Sequence, residues 1–102
     1  MKHDKLVRDL IPDKITERGA NPITHIASDE EYQMRLKAKL LEETQEFLET
    51  PTAEELADIL EVVYALCDVY GFDRKQLETL RRNKVEEKGA FIRRIVLDEI
   101  EE

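Results

Sequence analysis

A chain of 102 residues, with 39% charged and 6% aromatic residues, three Gly and three Pro, suits one small domain built from helices rather than a β-sandwich. Its net charge of −8 argues against duplex nucleic acid as a ligand, because phosphate contacts need cations on the protein. An acidic protein that handles phosphates needs a metal to bridge the like charges. No run of about 18 apolar residues appears and nothing reads as a targeting segment, so a soluble, cytoplasmic protein with no membrane partner is expected. Cys67 is the single cysteine. It excludes an intrachain disulfide, and its apolar neighbours predict a buried, inert thiol.

In chain order, the opening is basic, with Lys2, Lys5 and Arg8. Pro12 fits the first position of a short helix that Gly19 ends, with Ile11 and Ile15 as its anchors. Asn21-Pro22 marks a turn. Ile23 to Ala27 reads as a short strand of β-branched and apolar residues. His25 lies within it and is given no chemical role. Ser28 and Glu31 form a capping box that opens a second helix, running to about Glu49. Tyr32, Leu36, Leu40 and Phe47 make one apolar stripe of that helix. Met34, Leu41 and Leu48, spaced by sevens, make a second stripe about 120° away.

Thr50-Pro51-Thr52 is a turn into a third helix. Twelve of the 15 residues from Leu56 to Tyr70 are apolar, with Glu54, Glu61 and Asp68 as a narrow wet stripe. A helix apolar almost all round is buried on most sides, and a chain this short rarely achieves that alone. A homodimer or homotetramer is therefore expected. Gly71 ends the helix, and Asp73 and Gln76 form a further capping box. The fourth helix carries Leu77, Leu80 and Val85 as apolar marks and Arg81, Arg82, Asn83, Lys84 and Lys88 as polar ones, up to Gly89. Phe91 to Leu97 reads as a strand able to pair with Ile23 to Ala27. The expected fold is all-α, a helical hairpin or bundle with antiparallel core helices and a short two-stranded β element.

The chemistry concentrates around the turn at Thr50-Pro51. Glu43 and Glu46 are three apart and share a helix face, as do Glu55 and Asp58. About the turn the pairs are mirror images, which sets Glu46 level with Glu55 and Glu43 level with Asp58. Four carboxylates in one cleft repel unless a cation lies between them. All-oxygen ligands suit Mg²⁺, with Mn²⁺ possible. The spacing also fits a plainer reading, in which acidic helix faces are solvated and Thr52-x-x-Glu55 closes a capping box. The placement of Asp58 in an apolar run favours the metal. Lys39, Glu42, Glu43 and Glu46 lie within about 100° of one another on their helix.

Glu42-Glu43-x-x-Glu46 followed by Glu55-x-x-Asp58 resembles the EExxE…ExxD signature of the MazG-like, all-α nucleotide pyrophosphohydrolases. The opening Lys5-Leu6-Val7-Arg8-Asp9-Leu10-Ile11-Pro12 and the late Lys88-Gly89-Ala90-Phe91-Ile92-Arg93-Arg94-Ile95 are similar to the ends of the phosphoribosyl-ATP pyrophosphohydrolase-like branch. The likeness extends over most of residues 1–102, read as a single domain of that kind. It implies Mg²⁺-dependent hydrolysis of a nucleotide to the monophosphate and pyrophosphate. Glu43, Glu46, Glu55 and Asp58 are then the metal ligands, with Glu42 in a supporting catalytic role. Only eight residues separate the two acidic halves, fewer than is usual in that family, in a region that often lies near the base.

Lys39, Asn83, Lys84, Lys88 and Arg93 are the candidate phosphate-binding groups, with Lys5 and Arg8 next in line. No Gly-rich phosphate loop and no activated nucleophile accompany them. The alternative from another class is a non-catalytic acidic helical module, dimeric and used for interaction, or a nucleotide sensor that keeps the fold.

Overall fold

The computed structural model describes residues 3–102. Four helices follow one another: α1 (Ile11–Glu17), α2 (Asp29–Glu49), α3 (Ala53–Tyr70) and α4 (Arg74–Lys88). No strand occurs among the described residues. The chain divides into two compact units, one ending at Gly71 and the other running from Phe72 to Glu102.

The helix starts follow from side-chain caps. Ser28 Oγ accepts the Glu31 N–H at 3.2 Å, and Thr52 Oγ1 accepts the Glu55 N–H at 3.3 Å. Each satisfies one of the N–H groups that the first turn of a helix leaves unpaired. Asp73 caps α4 through the Lys75 N–H at 2.8 Å, one residue short of the Gln76 position expected. At the other end of α3, Gly71 takes φ +72°, a left-handed conformation that closes the helix without a Cβ clash. Helix α1 begins at Ile11 with Pro12 in its first turn. Ile11 and Ile15 are half-buried there.

In the first unit α2 packs against α3. The connection is only Thr50-Pro51-Thr52, and a link this short makes the helices antiparallel. Leu36 on α2 and Val62 and Cys67 on α3 are the buried apolar residues. They are flanked by half-buried Tyr32, Leu40, Phe47, Ile59 and Leu66. Cys67 is the buried free thiol that its neighbours implied. The first stripe of α2 is thus the packed one. The second stripe, Met34, Leu41 and Leu48, is exposed at 64%, 61% and 73%. Helix α3 turns the Val62 face inward and leaves Leu56 and Leu60 about half exposed.

The expected β element does not form in this structure. Residues 23–27 and 91–97 carry no ladder hydrogen bonds, and Ile23, Ile26 and Phe91 are more than nine-tenths exposed. A β-branched run becomes a strand only with a partner. His25 binds elsewhere, with Nε2 3.0 Å from both Glu31 carboxylate oxygens. That contact ties residues 23–27 to the first turn of α2.

In the second unit, side chains along α4 pair with one another. Glu78 accepts from Arg81 at 2.6 Å and from Arg82 at 3.2 Å. The Arg81 hydrogen bond, against a smaller effect of burial, lowers the Glu78 pKa to about 2. No described helix is long and apolar enough to cross a membrane.

Core and cap substitutions are expected to separate by size. Leu36→Ala should cost about 2–5 kcal/mol, as buried Leu truncations do. Thr52→Ala should cost about 0.5–2 kcal/mol, the range for a lost N-cap. Urea unfolding followed by circular dichroism measures both.

Candidate metal centre

The buried face of α2 carries a carboxylate where apolar neighbours would predict a Leu. Glu43 is only 8% exposed and is the one buried charged residue among those described. Two groups of oxygens meet there. Glu42, Glu43 and Glu46 place one carboxylate oxygen each within 4.8 Å of one another, and so do Glu43, Glu55 and Asp58. Glu43 belongs to both. The hairpin therefore sets Glu43 against Asp58 across the α2–α3 seam, the register that mirror symmetry about the turn requires. The other expected pair, Glu46 level with Glu55, does not share a group. Glu46 joins Glu42 and Glu43 on α2 instead.

The local backbone explains Glu55. Thr52 caps the helix through the Glu55 N–H, while the Glu55 carboxylate joins Glu43 and Asp58. One oxygen of Glu43 and one of Glu55, Oε2 in each, are buried and accept no hydrogen bond among the described residues. Leaving such acceptors unpaired is costly in a protein interior.

Among the described residues, three cations stand around the five carboxylates. Lys39 Nζ lies 3.4 Å from Glu42 Oε2 and 3.5 Å from Glu43 Oε1. Lys5 Nζ lies 3.2 Å from Glu42 Oε1, and Arg8 Nη2 is 2.7 Å from Asp58 Oδ1. With every carboxylate ionised, these three described cations leave two negative charges unbalanced. The pKa values follow the same geometry. Burial, then the neighbouring Glu46 carboxylate, raise Glu43, with Lys39 only partly opposing and Asp58 adding to the rise. For Glu42 burial acts upward too, but the Lys5 hydrogen bond and the charges of Lys39 and Lys5 outweigh it and lower the value. Neighbouring carboxyls are thereby pushed apart.

The donor set fits a hard divalent ion. It is all oxygen, it comes from two helices, and it includes two buried oxygens without partners. The oxygens of each triad lie within 4.8 Å of one another, so Mg²⁺ or Mn²⁺, which take oxygen ligands, would be held by these side chains drawing together around it.

Of the candidate phosphate-binding groups, the structure brings Lys39 to the carboxylates. Asn83, Lys84 and Lys88 are exposed on α4 in the second unit, and Arg93 is exposed in the segment after it. Lys5 and Arg8 ranked behind these in the sequence, yet both sit on the acidic cluster. The signal that pointed to them was the opening Lys5-to-Pro12 block. Comparison with family models, with curated proteins and with solved structures finds no match to this chain.

The raised Glu43 value sets a pH dependence for the metal-free protein. A raised carboxyl binds its proton more tightly in the folded chain, so its ionisation lowers stability at any pH above the folded value. That cost disappears as pH falls through the raised value towards 4.5, the ordinary one. Glu43→Gln in EDTA should thus melt higher than wild type at pH 8, and the gain should vanish near pH 4.5. Glu42 has the opposite sign. Its stabilisation holds above the ordinary value and is lost as pH drops through its lowered one. Melting curves of both proteins at stepped pH read out the crossover.

Proposed function

We propose that the chain is a Mg²⁺-dependent nucleotide pyrophosphohydrolase, able to use Mn²⁺, that converts a nucleoside triphosphate or a related nucleotide to the monophosphate and pyrophosphate. One observation carries the reading. A buried glutamate with an unpaired oxygen is the shared vertex of two carboxylate triads. A solvated acidic face has no such oxygen, because water satisfies it. The resemblance of Glu42-Glu43-x-x-Glu46 and Glu55-x-x-Asp58 to the MazG-like signature supplies the reaction.

In this reading Glu43, Glu46, Glu55 and Asp58 hold the metal. The ion supplies neutralisation of phosphate oxygens and a bound water of lowered pKa. Glu42 remains paired with Lys39 and is ionised at neutral pH, so it can accept the proton of the attacking water. Lys39 is placed to orient Glu42 and Glu43 through its two ion pairs.

The reading includes assembly as a homodimer or homotetramer. Met34, Leu41 and Leu48 form a continuous exposed stripe, and such a stripe is covered in a stable helical protein.

Purified protein with Mg²⁺ should release pyrophosphate from at least one member of a nucleotide panel. Glu46→Gln and Asp58→Asn should each lower kcat by about 100-fold or more, the loss expected when a several-kcal/mol electrostatic contribution goes. Orthophosphate as the product, or full activity in both variants, would refute the mechanism. Equal melting in EDTA and in excess Mg²⁺ would favour a non-catalytic interaction module, since a ligand at 100 times its Kd stabilises by about 2.7 kcal/mol.

Light scattering at micromolar concentration should give a multiple of 12.0 kDa. Leu41→Glu should reduce it to the monomer mass. A wild-type monomer would refute the assembly.

A further inference from the structure

Among the described residues, the segment before α1 makes three ion pairs with α2 and α3, and two of them end on the acidic cluster. Asp4 is held from α2 by Arg35, whose Nη1 donates to the Asp4 carbonyl at 2.8 Å and whose Nη2 donates to Oδ1 at 3.1 Å. Lys5 binds Glu42 and Arg8 binds Asp58. The first contact is independent of the cluster. The other two occupy the carboxylates that would face a metal ion.

We propose that Lys5 and Arg8 are exchangeable counter-ions of the acidic cleft. They neutralise Glu42 and Asp58 while no cation is bound. They give these carboxylates up when a divalent ion enters, and then serve as contacts for the phosphate oxygens of the ligand. The inference rests on the metal-dependent reading above, and it assigns these two residues both a competing and a binding role.

Four observations support it. The Arg8 and Asp58 side chains are 56% and 38% exposed, and a pair this open is worth at most about 1 kcal/mol, less than a metal–carboxylate contact returns. Arg8 meets Asp58 through one nitrogen, so most of its five N–H donors remain for a phosphate, whose geometry suits the guanidinium fork. The buried, unpaired oxygens of Glu43 and Glu55 show that the present cations leave the cleft incompletely satisfied. A pocket of about 70 Å³ lies beside Lys5, lined also by Arg35, Lys39, Asp4 and Glu42. Its three cations outnumber its two carboxylates, and Lys5, once released from Glu42, would face it. The Asp4–Arg35 anchor lets the strap stay attached while the residues after it change partners.

Calorimetric titration of Mn²⁺ alone, and of pyrophosphate in the presence of Mn²⁺, tests this on wild type, Arg8→Gln, Lys5→Gln and the charge-matched control Arg18→Gln. Circular dichroism confirms that each variant is folded. Arg8→Gln is expected to bind Mn²⁺ about two- to fivefold tighter than Arg18→Gln, the fold-change that loss of an exposed ion pair corresponds to. Both strap variants are expected to bind pyrophosphate about tenfold more weakly than the control, the effect of losing one charge-assisted contact. Mn²⁺ binding in wild type with Arg8→Gln equal to or weaker than Arg18→Gln would overturn the exchange and leave the metal site standing. Unchanged pyrophosphate affinity in both strap variants would overturn the phosphate role. No Mn²⁺ binding in wild type or in Arg8→Gln would overturn the metal reading and this inference together.

Discussion

The packing of α2 against α3 depends on a carboxylate it cannot fully satisfy. Glu43 sits on the stripe that buries Leu36, opposite the face of α3 that buries Val62. An apolar side chain there would stabilise the hairpin at no electrostatic cost. Instead the seam holds Glu43 near Asp58 and Glu55, and burial with the Glu46 charge drives the Glu43 pKa upward. The first unit is thus less stable than its helices allow, at the one place where negative charge is concentrated. A strained, under-satisfied group of this kind is where function is to be looked for.

The rest of the unit is arranged to contain that repulsion. Its apolar core is small, with Leu36, Val62 and Cys67 as its buried members, and so has little surplus to offset several ionised carboxylates. Cations offset it instead. Lys39 comes from one turn away on α2, and Lys5 and Arg8 come from a segment more than 30 residues distant in sequence. These pairs are partly exposed and individually weak. Lys5 and Lys39 lower the Glu42 pKa, and Arg8 balances the charge of Asp58.

Much of this was legible in the sequence because it is local. Ser28, Thr52 and Asp73 mark helix starts through bonds two or three residues away, and Gly71 marks a stop through its own φ. The pairing of Glu43 with Asp58 was legible too, since a three-residue link fixes the register of an antiparallel hairpin. Contacts that depend on distant neighbours were less so. The β-branched run at Ile23 has strand propensity but no ladder partner, and the His25–Glu31 contact holds it instead. Either stripe of α2 fits the periodicity, and only the packing of α3 decides that Leu36 is inside and Leu41 outside. Arg8 lies 50 residues from Asp58, and no spacing rule spans that separation.

The exposed stripe and the acidic seam are linked through one helix. Met34, Leu41 and Leu48 lie on the side of α2 away from the face that carries Leu36 and Glu43. Covering that stripe would immobilise α2 without touching Glu42, Glu43 or Glu46. Rigidity matters here, because a carboxylate triad holds a small divalent ion only if its oxygens stay within a few tenths of an ångström of the required spacing. Two helices around so small a core do not supply that stiffness by themselves. An apolar stripe of three large side chains facing water is otherwise a liability. The proposed assembly and the proposed metal would act on these two features, an uncovered apolar face and an under-satisfied carboxylate seam, through the one helix, α2, that carries both.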